Sequence, residues 1–134
     1  METTEKLIKI FFDWTKLKIR IHASDVKKFP KEKSIWWASL GQNIGVEING
    51  KNKNFERPVL IIKKYSKDSL LILPISSKEK EGIYYFKFID NEGRKNIVNL
   101  SQLKTISSKR VIREMGKIDN IDFQQIKERL KNLI

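Results

Sequence analysis

The run Ser34-Ile35-Trp36-Trp37-Ala38-Ser39-Leu40, the run Arg57-Pro58-Val59-Leu60-Ile61-Ile62 after a glycine-punctuated loop, and Leu70-Leu71-Ile72-Leu73-Pro74-Ile75-Ser76-Ser77 together decide the fold. Each is short, rich in β-branched or aromatic residues and bounded by Gly, Pro, Asn or Ser, which predicts strands. Val59 to Ile62 and Leu70 to Leu73 are apolar at successive positions, so both faces of these strands must be hidden. A sheet of that kind needs a second layer or must curl on itself, and short strands in this number fit a small, strongly bent barrel. Arg57 stands at the mouth of a strand too apolar to face water, where a buried scaffold meets a polar loop and sites are commonly built.

Outward from this segment, Ile83 to Ile89 and Asn96 to Leu100 predict a further strand pair around the turn Asp90-Asn91-Glu92-Gly93. Lys104 to Ser107 and Ile112 to Lys117 add two short strands, with a turn or one-turn helix around Ser108 to Val111. Two amphipathic helices flank this β region. Leu7, Ile10, Phe11, Trp14, Leu17 and Ile21 recur at helical spacing behind a Thr3 or Thr4 cap, and Phe123, Ile126, Leu130 and Leu133 do so behind Asp119 or Asn120. The expected fold is mainly β with an N-terminal and a C-terminal helix. Residues 1–33 form a helical extension and polar connector, and residues 34–134 form the barrel with its closing helix.

A chain of 134 residues supports one core. Without cysteine it has no disulfide, thiolate chemistry or Cys-based zinc site, which favours a reducing compartment. No apolar run approaches the roughly 20 residues that span a bilayer, and Met1 to Phe12 carries acids and no small-residue cleavage site. The expectation is a soluble, cytoplasmic protein with no membrane partner. The formal net charge is +12, spread along the chain. Such a field attracts polyanions, although lysine-rich composition also serves solubility alone.

Metal catalysis finds little support, because His22 is the single histidine and no carboxylate pair stands at ligand spacing. A triad, a Walker loop and a nucleophile elbow are equally missing. What remains is the basic, hydroxyl- and carboxylate-bearing cluster around residues 41–56. Cleaving RNA without a metal needs a group to take the 2′-hydroxyl proton, a cation over the phosphorane and a donor for the departing 5′-oxygen. Arg57 suits the second task and can assist the third through its several donors, Glu47 is the obvious carboxylate base and Ser76 can bond a phosphate oxygen. Tyr84, Tyr85, Phe86 and Phe88 can stack bases. The alternatives are a surface ion pair for Arg57, a strand end for Ser76 and Ser77, a polar loop residue for Glu47, and core packing for the four aromatics.

The strings Ile35-Trp36-Trp37-Ala38-Ser39-Leu40, Gly45-Val46-Glu47, Gly50, Arg57-Pro58-Val59-Leu60-Ile61-Ile62, Pro74-Ile75-Ser76-Ser77 and Leu100-Ser101-Gln102-Leu103-Lys104-Thr105-Ile106 occur in order. With Lys109-Arg110 and Gly116-Lys117-Ile118-Asp119 they resemble the MazF/PemK toxins of type II toxin–antitoxin systems, in the longer PemK-like form with a helical leader. The resemblance implies a small SH3-like barrel and ribosome-independent, sequence-specific cleavage of single-stranded RNA to 2′,3′-cyclic phosphate and 5′-hydroxyl ends. It assigns the catalytic arginine to Arg57 and the strand-end hydroxyl, usually threonine, to Ser76. Glu47 and Gln102 follow as supporting or RNA-binding positions, and Ser77, Lys78 and Arg94 complete the candidate set. An acidic residue found before the glutamine in some members is Ser101 here. No cofactor or metal is implied. The implied partners are single-stranded RNA, a second copy of the chain, and an antitoxin whose flexible acidic tail uses the RNA groove and with which DNA is bound. The alternative is a non-catalytic barrel of the same fold that binds nucleic acid or protein. Its gyrase-poison form acts through a Trp-Gly-Ile-like terminus, where this chain ends Lys131-Asn132-Leu133-Ile134.

Overall fold

A computed structural model describes residues 3–134. Met1 and Glu2, the first positions of the expected extension, lie outside the described residues. Helix α1 (Thr4–Ala23) is followed by strands β1 (Ser34–Ser39), β2 (Glu56–Ser66), β3 (Ser69–Ser76), β4 (Tyr85–Ile89), β5 (Lys95–Asn99), β6 (Lys104–Ser107) and β7 (Val111–Lys117), then by helix α2 (Asn120–Asn132). Single 3-10 turns occupy Leu100–Gln102 and Ser108–Arg110. The second was expected; the first replaces an expected strand end. Strand β2 begins at Glu56, so Arg57, expected at the mouth of the strand, lies within the ladder. Strand β4 begins two residues later than Ile83, after a turn at Gly82.

The seven strands form one antiparallel sheet in the order β4-β5-β3-β2-β1-β7, with β6 also pairing β3. Strand β3 therefore carries β2 on one edge and β5 and β6 end to end on the other. Between Val98 and Lys104 the partner strand advances six positions while β3 advances three, from Ile75 to Ile72. The three extra residues are the 3-10 turn Leu100–Gln102, which holds Gln102 outside the ladder.

The double-sided apolar runs are explained by two cores. On β2, Leu60 and Ile62 join Ile35, Leu73, Phe86, Phe88 and Val98 in one cluster, closed by Phe123 and Ile126 of α2. Val59 and Ile61 face the other way, into a cluster with Ala38, Leu40, Leu70, Ile72, Ile106 and Val111. Because strand side chains alternate, a one-residue slip of β2 would exchange the two cores, and the register is held by burial on both sides. The sheet is barrel-like without a closed ladder. Across the gap between its edges, Asn91 N–H donates to Lys117 O at 3.1 Å and Asn91 Oδ1 accepts from Lys117 N–H at 2.8 Å. Arg94 Nη2 also bonds Met115 O. A Cβ on Gly116 would stand 2.8 Å from Asn91 Oδ1, so glycine allows the hairpin to approach.

Helix α2 starts at the Asp119 cap, whose Oδ1 accepts from Asp122 N–H at 2.8 Å. Its buried stripe ends earlier than expected, since Leu133 is the C-cap and is more than a third exposed. Helix α1 is capped by Thr3, and its one buried residue is Trp14, which is 6 % exposed. The ring packs 5.6 Å from Phe55 and beneath the Arg110 guanidinium at 5.7 Å. Gly41, with φ +89°, leaves room for it: a Cβ there would lie 2.2 Å from the indole. Leu7 and Phe11 were expected in the docked stripe but stay more than a third exposed, whereas Ile10, Leu17 and Ile21 of the same stripe are half-buried.

Candidate active site and nucleic-acid interface

The loop between β1 and β2 is folded back on itself by short-range bonds. Leu40 N–H and Gly41 N–H both donate to Phe55 O, Gly50 N–H donates to Gly41 O, and Lys51 and Glu56 form a bridge. Asn43 joins the loop's two limbs: its side chain donates to Leu40 O and Ile48 O, and its N–H reaches Asn49 Oδ1. The fold-back brings Asn49 O to 2.8 Å from Arg57 Nε, and Arg57 Nη1 reaches Ile75 O at 3.4 Å. The guanidinium is thus clamped between loop and β3. Burial pushes its pKa below the usual arginine range, yet a guanidinium remains a cation at neutral pH.

Ser76 ends β3, and its Oγ accepts from Lys78 N–H at 3.1 Å, which turns the chain away from the sheet. Arg57, Ser76, Ser77 and Lys78 line one cavity of about 300 Å³ together with Lys51, Lys80, Tyr85 and Asn99. Four of these residues are basic, and no carboxylate or imidazole is among those lining it. A second cavity of about 510 Å³ opens on the other side of Arg57, Ser76 and Ser77, in the gap between the sheet edges, and there Arg94 forms part of the wall.

Glu47 and Gln102 are not in either cavity. They line a third, of about 380 Å³, with Asn43, Ser101 and Lys104. Ile48 borders both this cavity and the one at Ser76. Glu47 Oε1 accepts from Ile44 N–H at 3.0 Å, and Gln102 Nε2 donates to Val46 O at 3.4 Å, so both side chains brace the loop. Burial, aided by Arg110 and opposed by Glu47, lowers the pKa of Lys104 in the same wall. The expected set therefore divides: Arg57, Ser76, Ser77, Lys78 and Arg94 gather around one ridge, while Glu47 and Gln102 stand in the neighbouring hollow.

Lys51, Lys80, Asn99 and Trp37 line the site without having been singled out for it, and Tyr85, read as either a base-stacking or a core residue, lines it as well. Lys51 was legible as a base six positions before Arg57, but only the bridge to Glu56 turns it toward the site. Of the aromatic run at β4, Phe86 and Phe88 enter the core, whereas Tyr85 reaches the cavity and Tyr84 remains exposed. His22 lies on α1, where its carbonyl accepts from Lys109 Nζ at 2.6 Å. Among the described residues no group of three or more His, Asp or Glu side chains is placed to hold a metal ion. No helix among them is long and apolar enough to cross a membrane.

No curated protein matches the chain in sequence. Among solved structures it is similar to Deinococcus radiodurans MazF in its Form-I crystal, with a TM-score of 0.64 and 15 % identity over 79 % of this chain and 96 % of that one. A mycobacterial endoribonuclease in complex with its cognate antitoxin aligns with a TM-score of 0.60 and 11 % identity over 77 % of this chain and 92 % of that one. Mycobacterium tuberculosis toxin MazF-mt6 aligns with a TM-score of 0.56 and 16 % identity over 74 % and 93 %. At such identities these likenesses concern the fold. The model of the PemK-like, MazF-like toxins of type II toxin–antitoxin systems matches residues 31–134, and the chain belongs to that family.

Proposed function

We propose that the protein is the toxin of a toxin–antitoxin pair and acts as a metal-independent, sequence-specific endoribonuclease on single-stranded RNA, leaving 2′,3′-cyclic phosphate and 5′-hydroxyl ends. The observation that carries this reading is the clamped Arg57 guanidinium beside Ser76 in a cavity lined with lysines. Family membership supports it.

In the reaction the 2′-oxygen attacks phosphorus, its proton leaves, and the P–O5′ bond breaks as the 5′-oxygen takes up a proton. Negative charge builds on the non-bridging oxygens of the phosphorane. Two of the five Arg57 N–H donors are engaged by backbone carbonyls, and Nη2 has no protein partner among the described residues. That nitrogen faces the task of bonding the phosphorane, while the carbonyl clamps fix the fork before substrate arrives, so little reorganisation is needed. Ser76 Oγ–H remains a donor, because the hydroxyl accepts from Lys78 N–H, and it orients a phosphate oxygen. Lys51, Lys78 and Lys80 hold the flanking phosphates.

Glu47 works in this scheme as a brace for the 41–55 loop, since its carboxylate is bonded to Ile44 N–H in the adjacent hollow. Catalysis then rests on charge stabilisation, with solvent taking the 2′-proton. The RNA-binding protein works as a homodimer in the cytoplasm. An antitoxin with an acidic flexible tail competes for the same basic ridge and binds DNA with the toxin. Incubating the purified protein with end-labelled RNA in the presence of a chelator tests the activity. Fragments ending in cyclic phosphate support the endoribonuclease, and RNA bound but left intact supports a non-catalytic barrel.

A further inference from the structure

The largest of the cavities beside Arg57 is the gap between the sheet edges, and its floor differs from the lysine-lined one. Strand β1 pairs regularly with β2, so Trp37 shares a face with Ile35, the face of the core closed by α2. At that end of the sheet no further strand covers it, and the half-buried indole becomes a wall of the cavity with Pro58 and Met115. Trp37 is held from outside. Arg113 lies over its ring at 4.9 Å, is itself gripped by both carboxylate oxygens of Glu56 at 3.1 and 3.3 Å, and is not among the residues lining the cavity.

The rim carries Lys51, Arg57, Arg94 and Lys95, of which Arg94 is paired with Asp90 at 3.2 Å, against one lining carboxylate, Glu56, already paired with Arg113. An apolar aromatic wall beneath a ring of cations suits a ligand with a flat unsaturated body on an anionic chain. The volume, about 510 Å³, is within the range of sites that enclose small organic groups. Arg57, Ser76 and Ser77 border both this cavity and the lysine-lined one, so a strand whose phosphate sits at Arg57 extends one neighbour to each side.

We propose that the cavity between β1, β5 and β7 is a nucleobase subsite in which Trp37 stacks on the base next to the phosphate held at Arg57. The proposal rests on the reading of the protein as an RNA-binding enzyme, but requires binding alone and not cleavage. Stacking on an aromatic side chain is sequence-tolerant, so this subsite supplies affinity and strand placement, while discrimination among bases falls to other contacts. The ring is set between Pro58 and Arg113 in the ladder, which places it ready-made on a rigid element.

The test compares two probes of equal length and charge by fluorescence anisotropy at fixed salt: a 2′-O-methyl uridine heptamer, which lacks the attacking hydroxyl, and the matching abasic heptamer. The wild type binds the base-bearing probe more tightly. Trp37→Leu should cut that preference by about fivefold or more, as expected for one lost stack, and leave the abasic affinity within about twofold. Trp37→Phe, which keeps a ring, should restore most of the preference and shows that the leucine variant does not act through misfolding. Arg57→Ala should weaken both probes alike. An unchanged preference in Trp37→Leu overturns the subsite, as does equal weakening of both probes or failure of Phe to rescue. Heptamer binding with the expected Trp37 dependence, in a protein that cleaves no RNA, keeps the subsite and removes the nuclease reading.

Discussion

Arg57 Nη1 donates to the carbonyl of Ile75, the residue immediately before Ser76, at 3.4 Å. The proposed cation and the proposed phosphate-orienting hydroxyl are therefore tied through one peptide unit, and a shift in β3 moves both. The second tie, from Arg57 Nε to Asn49 O, adds the preceding loop to the same unit. Displacing either carbonyl from this clamp loosens the guanidinium without changing its charge. Arg57→Lys keeps the charge but loses the fork, and for that reason should recover little of the activity lost in alanine.

The pH dependence follows from the composition of the cavity wall. With no carboxylate or imidazole lining the cavity at Ser76, log kcat/KM should climb with a slope near one from about pH 5.5 to 8.5, as expected when hydroxide removes the 2′-proton. A plateau with a midpoint between about 4 and 7 would identify a side-chain base and contradict this scheme. Arg57 does not intrude on this window, because its pKa, although lowered by burial, belongs to a group that stays charged.

Salt should weaken RNA binding in proportion to the phosphates engaged. For a single strand the slope of log affinity against log salt is roughly −0.7 per neutralised phosphate. Lys51→Ala or Lys80→Ala should each make the slope shallower by about that amount. Lys9, on α1 and paired with Asp13, serves as the control, and Lys9→Ala should leave the slope unchanged.

The hairpin that reaches across the open side of the sheet depends on Asp90. Burial acts to raise its pKa, but bonds from Asn96, from the Arg94 and Glu92 N–H groups and from the Arg94 side chain outweigh it and hold the carboxyl below its usual value. A carboxyl with a lowered folded pKa contributes stability above its unfolded value, near 3.9, and that contribution disappears as pH falls through the folded value. Asp90→Ala removes the acceptor of one of the two buried Asn96 amide N–H groups, the other still bonding Arg94 O, and also the acceptor of the Glu92 and Arg94 N–H groups, and should cost about 2–3 kcal/mol in urea unfolding at pH 7. Its deficit relative to the wild type should shrink in strongly acidic buffer.

Trp14 is the anchor of α1. Trp14→Ala should lower stability by about 3 kcal/mol or more and expose residues 4–23 to limited proteolysis while the barrel stays intact. Gly41→Ala should reproduce part of the effect from the other side of the contact, since its methyl group would occupy the position of the indole and its φ of +89° disfavours any side chain. Equal protease resistance of wild type and Trp14→Ala would show that α1 is held by something other than this contact.

The β-rich fold was legible because burial leaves a mark at every second residue. The apolar pairs Leu60 with Ile62 and Val59 with Ile61 announce two cores in the order of residues alone, and the Asp119 cap and Phe123–Ile126 pair announce α2. Arg57 and Ser76 were legible as ends of such strands. Glu47 was not, because its placement depends on a loop folded by backbone bonds, and those have no sequence period. The offset of Gln102 comes from a three-residue register jump along β3, which local propensity does not encode. The exposure of Leu7 and Phe11 has a related cause: an amphipathic stripe says that a helix docks, whereas the extent of the surface beneath it is tertiary.

The central claim, that Arg57 stabilises the phosphorane in a metal-independent cleavage, is tested most directly by single-turnover cleavage of one end-labelled RNA with excess EDTA, comparing wild type with Arg57→Ala. The wild type should produce fragments with 2′,3′-cyclic phosphate ends, and the variant should be slower by about 100-fold or more while still binding the RNA. Cleavage by Arg57→Ala at the wild-type rate, or wild-type cleavage abolished by EDTA, would contradict it.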